Sequence, residues 1–507
     1  MKQTNERLGK LISELRQVRG LTQSELAQQM GTSQSAINRM EKGGQNLSLD
    51  MLSRVSDVLQ KPLLSVGNQG VNLRIDGGKE LSGEIVLKTS KNAAVGLLCA
   101  SLLNRGKTTF KNFPRIEEVF RIIEVLESIG IKVRWLKGND LEIKRPTKLE
   151  MDNLDADAAR RTRSVLMLIG PLINELQEFK IPYAGGCKLG ERTVQPHLYG
   201  LEEFGVKIVA EDKDYRITST PRQPERVALY ESGDTVTENV AMAAASQPGT
   251  TTIQFATANY MVQDVCGYLQ LLGAEIDGIG TSTLTITGFE RAPKKDIIYY
   301  PAEDPIEAMF FTATALTTNS EISIKRVPID FMTLELLKLK KMGATFTETP
   351  RYKAKNGFTD LIDLTVHRHN GSMIALNDKI HANVYPGLNQ DNLPYFVPIC
   401  AIAEGRTLIH DWTYENRAIY YTEMTKIGAN VELADPHRVY VTGKTEFIRA
   451  DLACPPALRP ASLLLIGMLA APGKSMLRNV YTINRGYEDL AERLNGLGAS
   501  IEVLHDI

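Results

Sequence analysis

Residues 124–133 read EVLESIGIKV, and the phrase returns five times along the chain: GLEEFGVKI at 200–208, LQLLGAEI at 269–276, KLKKMGATF at 338–346, MTKIGANVEL at 424–433 and LNGLGASIEVL at 494–504. Each is the end of an amphipathic helix, then a glycine, then the β-branched start of a strand. Gly130, Gly205, Gly273, Gly343, Gly428 and Gly498 stand where a helix must stop in a left-handed turn that a side chain resists. Successive glycines lie roughly 68 to 85 residues apart, a spacing that implies one supersecondary unit per repeat.

Between these phrases runs a second kind of helix, rich in Ala, Leu and Ser and followed by a break and a strand. It is seen in NAAVGLLCASLLNRGKTTF (92–110), ENVAMAAASQPGTTTIQF (238–255), IEAMFFTATALTTNSEISI (306–324), YFVPICAIAEGRTLIH (395–410) and RPASLLLIGMLAAPGKSML (459–477). Helices with so little polar face belong inside a domain. Periodicity thus gives an α/β unit repeated six times but leaves the arrangement of the units open.

A chain of 507 residues calls for two or three domains. Lys and Arg number 59 against 60 Asp and Glu, so any anion or nucleic-acid binding must come from local clusters rather than a global field. Five scattered cysteines without a CxxC pair argue against a disulfide framework and a zinc ribbon, and a reducing compartment fits. The start, Met1 to Lys10, is polar, and no run of about 18 apolar residues follows, so the expectation is a cytoplasmic protein without a membrane span.

The first 66 residues differ from the rest. Apolar positions recur at helical spacing from Leu8 to Val66, broken by Gly20, Gly31 and Gly43-Gly44, which reads as four or five short helices. Thr22 with Glu25 forms a capping box that starts a helix reaching to about Met30, and Ser33 caps the next. Leu26, Ala27, Ile37 and Met40 would pack these two helices together. Gln34, Ser35, Asn38 and Arg39, with Gln23, are polar groups able to reach base edges. The stretch LTQSELAQQMGTSQSAINRMEKG (21–43) resembles the helix-turn-helix of phage-repressor-like regulators. That resemblance implies binding of double-stranded DNA through residues 1–66, as a homodimer; a helical adaptor with an amide-rich surface is the alternative. Residues 67–72, beginning Gly67-Asn68-Gln69-Gly70, read as a linker.

Residues 73–507 resemble the enolpyruvyl transferase family, of the UDP-N-acetylglucosamine 1-carboxyvinyltransferase type. The strings that carry the likeness are TSKNAAVGLL, RRTRSVLMLIGPL, AGGCKLGERTVQPH, YENR, ALRPASLLL and INRGYE. The resemblance implies an all-α helix-turn-helix domain followed by an α/β enolpyruvyl transferase fold, an inside-out α/β barrel in two lobes of three units each. One lobe would hold about 91–300, the other 73–90 with 301–507. It also implies a reaction without metal or cofactor, in which a hydroxyl of UDP-N-acetylglucosamine or a related nucleotide adds to phosphoenolpyruvate and phosphate leaves.

That chemistry needs cations for a carboxylate and a phosphate, an acid for the methylene carbon and a base for the hydroxyl. Lys91, Arg163, Arg192, Arg417, Arg459 and Arg485 match the family's cationic positions, and Arg pairs bidentately with such oxyanions. Cys187, in a Gly-rich loop beside Lys188 and Arg192, falls where the family has its general acid, while Cys99, Cys266, Cys400 and Cys454 read as buried hydrophobes. Asp391, in NQDNLPYF, corresponds to the base, with a helix cap near Leu393 as the alternative reading. Asn92, Val194 and Gln195 complete the expected substrate contacts, and Glu238-Asn239 match the family without an assigned role.

Several positions depart from the family's pattern. An acidic residue is replaced by Gln195, a Ser-Val-Gly run used for the diphosphate reads Gly233-Asp234-Thr235, an Arg after Asp304 is Pro305, and an acidic patch is replaced around Ala258-Asn259-Tyr260. These put the acceptor in doubt more than the reaction. The shikimate-pathway synthase shares the implied fold, but the cysteine loop and INRGYEDL favour the UDP-sugar branch. A transcriptional regulator that senses a cell-wall precursor is the reading from another class.

Overall fold

The computed structural model describes residues 9, 12, 13, 16, 21–44, 51, 54, 55, 58, 70–183, 194–371 and 373–505. The chain separates into two compact units, Met1–Asn72 with Leu504–Ile507, and Leu73–Val503.

In the first unit the Thr22 hydroxyl accepts the Glu25 N–H at 3.2 Å and the Glu25 carboxylate accepts the Thr22 N–H at 2.7 Å. This capping box starts the helix Gln23–Gln29, which Met30 ends. Gly31 turns the chain with φ 65°, and the Ser33 hydroxyl caps the helix Gln34–Glu41. Leu26, Ala27, Ile37 and Met40 are buried together with Ile12, Met30 and Val55. Glu41 ties the pair down through Arg16 at 2.6 Å. The remaining helices expected before residue 67 lie largely outside the described residues.

The second unit contains six sheets among the described residues. Three draw on strands within 107–299, and three on strands within 71–86 and 321–505. In five of them the strand that follows an apolar helix has a parallel neighbour on one side and an antiparallel neighbour on the other. These strands are Lys107–Phe110, Thr250–Gln254, Glu321–Pro328, Gly405–His410 and Gly473–Arg478. The sheet of Glu178–Pro182, Val206–Ala210 and Asp214–Ser219 is antiparallel throughout.

The apolar helices lie in the interior. Every residue of Pro305–Thr317 is buried, as are Ala93 to Ala100, Val236 to Ala245 and Arg459 to Leu469 of three others. Gly96 shows how tightly they cross, since a Cβ there would come within 3 Å of both Glu238 and Val265. The six glycines of the repeated phrase all have positive φ, between 82° and 114°.

Two chain segments, 86–91 and 299–305, run side by side. Thr89 and Glu303 form an antiparallel bridge, the Ser90 N–H donates to the Ala302 carbonyl at 2.8 Å, and the Asp304 N–H donates to the Lys88 carbonyl at 3.0 Å. Among the described residues no helix is long and apolar enough to cross a membrane.

Candidate active site

A cleft of about 650 Å³ opens in the second unit. Its walls hold Lys91, Asn92 and Arg163 together with Asp391, Arg417, Arg459 and Arg485. Local structure aims several of these side chains. The hydroxyl of Ser90 caps the helix Lys91–Ala100, which fixes Lys91 and Asn92 in its first turn, and Asn92 donates to the Tyr260 hydroxyl at 3.3 Å. Thr162 caps the short helix that begins at Arg163.

Asp391 is the focus of the cations. Arg459 donates to its Oδ2 at 3.2 Å and the Arg417 guanidinium stands 3.5 Å from Oδ1. Burial pushes this carboxyl up, but the attraction of Arg459, Arg417 and Lys91 outweighs burial and holds it at about 2. The cap of the helix near Leu393 is Asn392, whereas the Asp391 carboxylate turns to the arginines.

Arg417 is almost fully buried and already occupied. Its Nε and Nη2 grip the buried carboxylate of Asp411 at 2.5 and 2.9 Å, and Nη2 also donates to the Gln390 carbonyl at 2.6 Å. It thereby fixes the backbone beside Asp391 as well as facing the carboxylate. Arg459 is steadied from behind by the hydroxyls of Tyr487, at 3.1 Å, and Tyr395. Arg485 crosses the cleft to Glu118 at 3.1 Å, and Glu118 accepts from Thr162 at 2.7 Å. Burial raises the Glu118 carboxyl, but Lys91, Thr162 and Arg485 bring it below its ordinary value.

The cleft is also lined by the carboxylates Glu231, Asp234 and Glu238. Asp234 accepts from Asn259 at 3.2 Å, and burial raises its carboxyl above the ordinary value. Glu238 is buried close to Asp234 and Asp264, and its carboxyl is raised well above the usual range by that burial first and by those neighbours second. Asn239 braces the surrounding helices, since its side-chain carbonyl accepts the Gly170 N–H and its amide donates to the Leu166 carbonyl and to Nδ1 of His197. His197 is therefore protonated on Nε2, which faces Thr235 at 3.3 Å. Its imidazole is held down at about 4 by burial and by Arg163.

Not every expected residue joins this group. Val194, half-buried, precedes the helix Gln195–Glu202 without a side-chain cap and Gln195 begins that helix with its side chain exposed, while Pro196 and His197 line the cleft. Cys187, Lys188 and Arg192 lie outside the described residues. Glu118, Asp411, Tyr395 and Tyr487 are the participants that sequence reasoning missed. Glu118 reads as an ordinary acidic residue in the first turn of a helix, Asp411 carries no local signal, and Tyr395 and Tyr487 lie within NQDNLPYF and INRGYE without a role of their own being read there. Among the described residues no group of three or more His, Cys, Asp or Glu could hold a metal ion.

The family profile described as EPSP synthase (3-phosphoshikimate 1-carboxyvinyltransferase) matches residues 75–494. A UDP-N-acetylglucosamine 1-carboxyvinyltransferase of Nitratiruptor sp. is 31% identical over 436 residues, covering 86% of this chain and 99% of the relative. The chain belongs to the enolpyruvyl transferase family. A UDP-N-acetylglucosamine 1-carboxyvinyltransferase 1 of Symbiobacterium thermophilum is likewise 31% identical, over 84% of this chain and 94% of the relative. Among solved structures, the enolpyruvyl transferase NikO from Streptomyces tendae superposes with a TM-score of 0.74 at 23% identity, covering 87% of this chain and all of that one. EPSP synthase from Acinetobacter baumannii gives 0.66 at 18% identity over 86% of this chain and all of that one. These two likenesses establish the fold. Ahead of the transferase region, the profile described as Helix-turn-helix matches residues 12–65.

Proposed function

We propose that the protein transfers the enolpyruvyl group of phosphoenolpyruvate to a hydroxyl of UDP-N-acetylglucosamine or a related nucleotide, in cytoplasmic synthesis of a cell-wall precursor. The observation that carries this reading is the convergence of Lys91, Arg163, Arg459 and Arg485 on the cleft that also holds the carboxylate of Asp391. Its six sheets with their helices are read as six repeats, three to a lobe, so that closing the lobes brings both walls onto the substrates.

Lys91, Arg163, Arg192 and Arg485 hold the carboxylate and phosphate of phosphoenolpyruvate, and Asn92 serves the acceptor side. Asp391 takes the proton of the acceptor hydroxyl as its oxygen bonds to C2, and Cys187 gives a proton to the methylene carbon. One proton then leaves that carbon as the C–O bond to phosphate breaks, which restores the double bond and balances the step. An Asp391 carboxyl held near 2 by these cations is a weak base. Bound phosphoenolpyruvate neutralises the surrounding cations and so raises its basicity at the moment it is needed. Arg417 positions Asp391, and Arg459 both positions it and faces the reacting atoms.

The helix-turn-helix unit adds double-stranded DNA as a partner. In it Gln34, Ser35 and Arg39 are exposed on the second helix, Asn38 is half-buried, and Gln23 donates to Glu41 at 2.8 Å. This unit supports the further reading of a regulator that senses a cell-wall precursor. Phosphate release from phosphoenolpyruvate, measured against UDP-sugars and simpler nucleotides, separates the two. Turnover with at least one acceptor is expected; ligand-dependent DNA binding without turnover would favour the sensor.

A further inference from the structure

Tyr385, Trp412 and Tyr414 bring aromatic rings to the cleft. Two of these rings are already engaged. Tyr385 packs against Phe331 with ring centroids 4.9 Å apart, and the Arg417 guanidinium lies 4.0 Å from the centre of the Tyr414 ring. Trp412 differs from both. It is 47% exposed, and among the described residues no other ring and no cation lies against its faces. An indole left in water on a cleft wall offers a large apolar face to whatever ring can cover it.

The fold holds this ring in place. The strands Ile380–His381 and Gly405–His410 run parallel, with Ile380 opposite Ile409 and His381 opposite His410. Both strands end there, and the segments that follow, Asn383 to Tyr385 and Trp412 to Glu415, line the cleft. The carboxyl ends of neighbouring parallel strands are where α/β sheets commonly present ligand contacts. Just beyond the pairing, the Trp412 Nε1–H donates to the Ala382 carbonyl at 2.6 Å. One edge of the indole is thereby pinned while its faces stay open, so a ligand that stacks on it orders little that is not already ordered. The ring is also close in the chain to the reacting group. Asp411, the residue before Trp412, grips Arg417 at 2.5 Å, and Arg417 stands 3.5 Å from Asp391. We infer that Trp412 is a specificity-determining residue for the transfer, a platform on which a flat ring of the acceptor stacks, either the sugar that carries the reacting hydroxyl or the base joined to it. This inference rests on the proposed nucleotide acceptor. Phosphoenolpyruvate has no ring and gains nothing from the platform.

Trp412 can be watched directly. The chain has two tryptophans, and the other, Trp135, packs beside Phe113 and Phe120 and does not line the cleft. Full-length Trp135→Phe therefore leaves Trp412 as the sole indole. UDP-N-acetylglucosamine, UDP and phosphoenolpyruvate are added separately, bound ligand is counted by equilibrium dialysis, and acrylamide quenching of the indole emission is measured, none of which needs turnover. A stacked ring covers one face, so the quenching constant should fall about twofold at saturating UDP-N-acetylglucosamine and stay unchanged with phosphoenolpyruvate. Protection by UDP-N-acetylglucosamine alone identifies the amino sugar as the stacked ring, and protection by UDP as well identifies the nucleoside. In otherwise wild-type protein, Trp412→Leu should weaken nucleotide binding about tenfold, whereas Trp412→Phe, which keeps a flat face, should stay within about threefold. Phosphoenolpyruvate binding should not change in either variant. Nucleotide bound without protection of Trp412, equal protection by phosphoenolpyruvate, or nucleotide binding by Trp412→Leu as tight as by wild type would overturn the platform and leave the proposed transfer standing. Binding of neither nucleotide would overturn the platform together with the nucleotide acceptor on which it rests.

Discussion

Replacing Asp391 by Asn keeps the shape of the group and removes its charge from among Arg459, Arg417 and Lys91. Two separate effects should follow. The folded carboxyl titrates at about 2 against 3.8 for an ordinary aspartate, a gap of about 2 pH units worth roughly 2.5 kcal/mol in favour of the ionised folded state. Because the folded value is the lower one, this stabilisation is complete above about pH 4 and fades as pH falls towards 2. Asp391→Asn should therefore lose about 2 kcal/mol at pH 7 in urea unfolding, and the gap between variant and wild type should shrink as pH drops below about 4. Turnover should fall by about 10² to 10⁴, the usual contribution of a general base, while phosphoenolpyruvate should bind at least as well because a negative charge has left its site. Turnover within tenfold of wild type would remove Asp391 from the role of base. Equal stability loss at every pH would show that its charge is not held by the arginines as the distances indicate.

Three further predictions rest on other residues. Burial pushes the thiols of Cys266, Cys400 and Cys454 up to about 12 and that of Cys99 higher still, so brief alkylation should mark Cys187 first and Cys187→Ser should lose most turnover; peptide mapping with activity checks both. Asp234 places a carboxylate on the cleft wall, so Asp234→Ser should raise kcat/KM about tenfold for acceptors carrying a diphosphate, with little change for uncharged ones, and equal effects on both would dissociate Asp234 from acceptor choice. Arg39 is exposed on the second helix of the N-terminal unit, and Arg39→Ala should weaken duplex binding about tenfold and flatten its salt dependence in a fluorescence titration; unchanged binding would favour the adaptor reading.

Local signals made much of the fold legible. A helix-ending glycine followed by a strand is a short-range pattern, and all six such glycines adopt positive φ. The apolar helices declared their burial by composition, and Thr22 with Glu25 declared a helix start through three-residue spacing. The strand pairing was not legible. Ser82–Val86 pairs with a strand more than 230 residues later in the chain, and no periodicity encodes such a partner.

The candidate site divides in the same way. Arg417 and Arg459 stood out in their strings, but the groups that occupy them did not. Asp411 follows the strand Gly405–His410 and becomes a buried counter-ion only because the chain folds back through Arg417 six residues later. Glu118 sits in a helix's first turn, where acidic residues are common for local reasons, and meets Arg485 across 367 positions of sequence. Long-range side-chain pairs of this kind arise from tertiary packing, which short motifs do not record.

The most direct test of the central claim is transfer in heavy water. Purified full-length protein, phosphoenolpyruvate and UDP-N-acetylglucosamine or another accepted nucleotide are incubated in D₂O, and the product is read by mass spectrometry and NMR. Addition with protonation of the methylene carbon, then elimination, predicts equimolar inorganic phosphate and a carboxyvinyl ether whose vinyl methylene carries deuterium. Phosphate release without an ether product, or no phosphate with any acceptor while phosphoenolpyruvate still binds, would contradict the account.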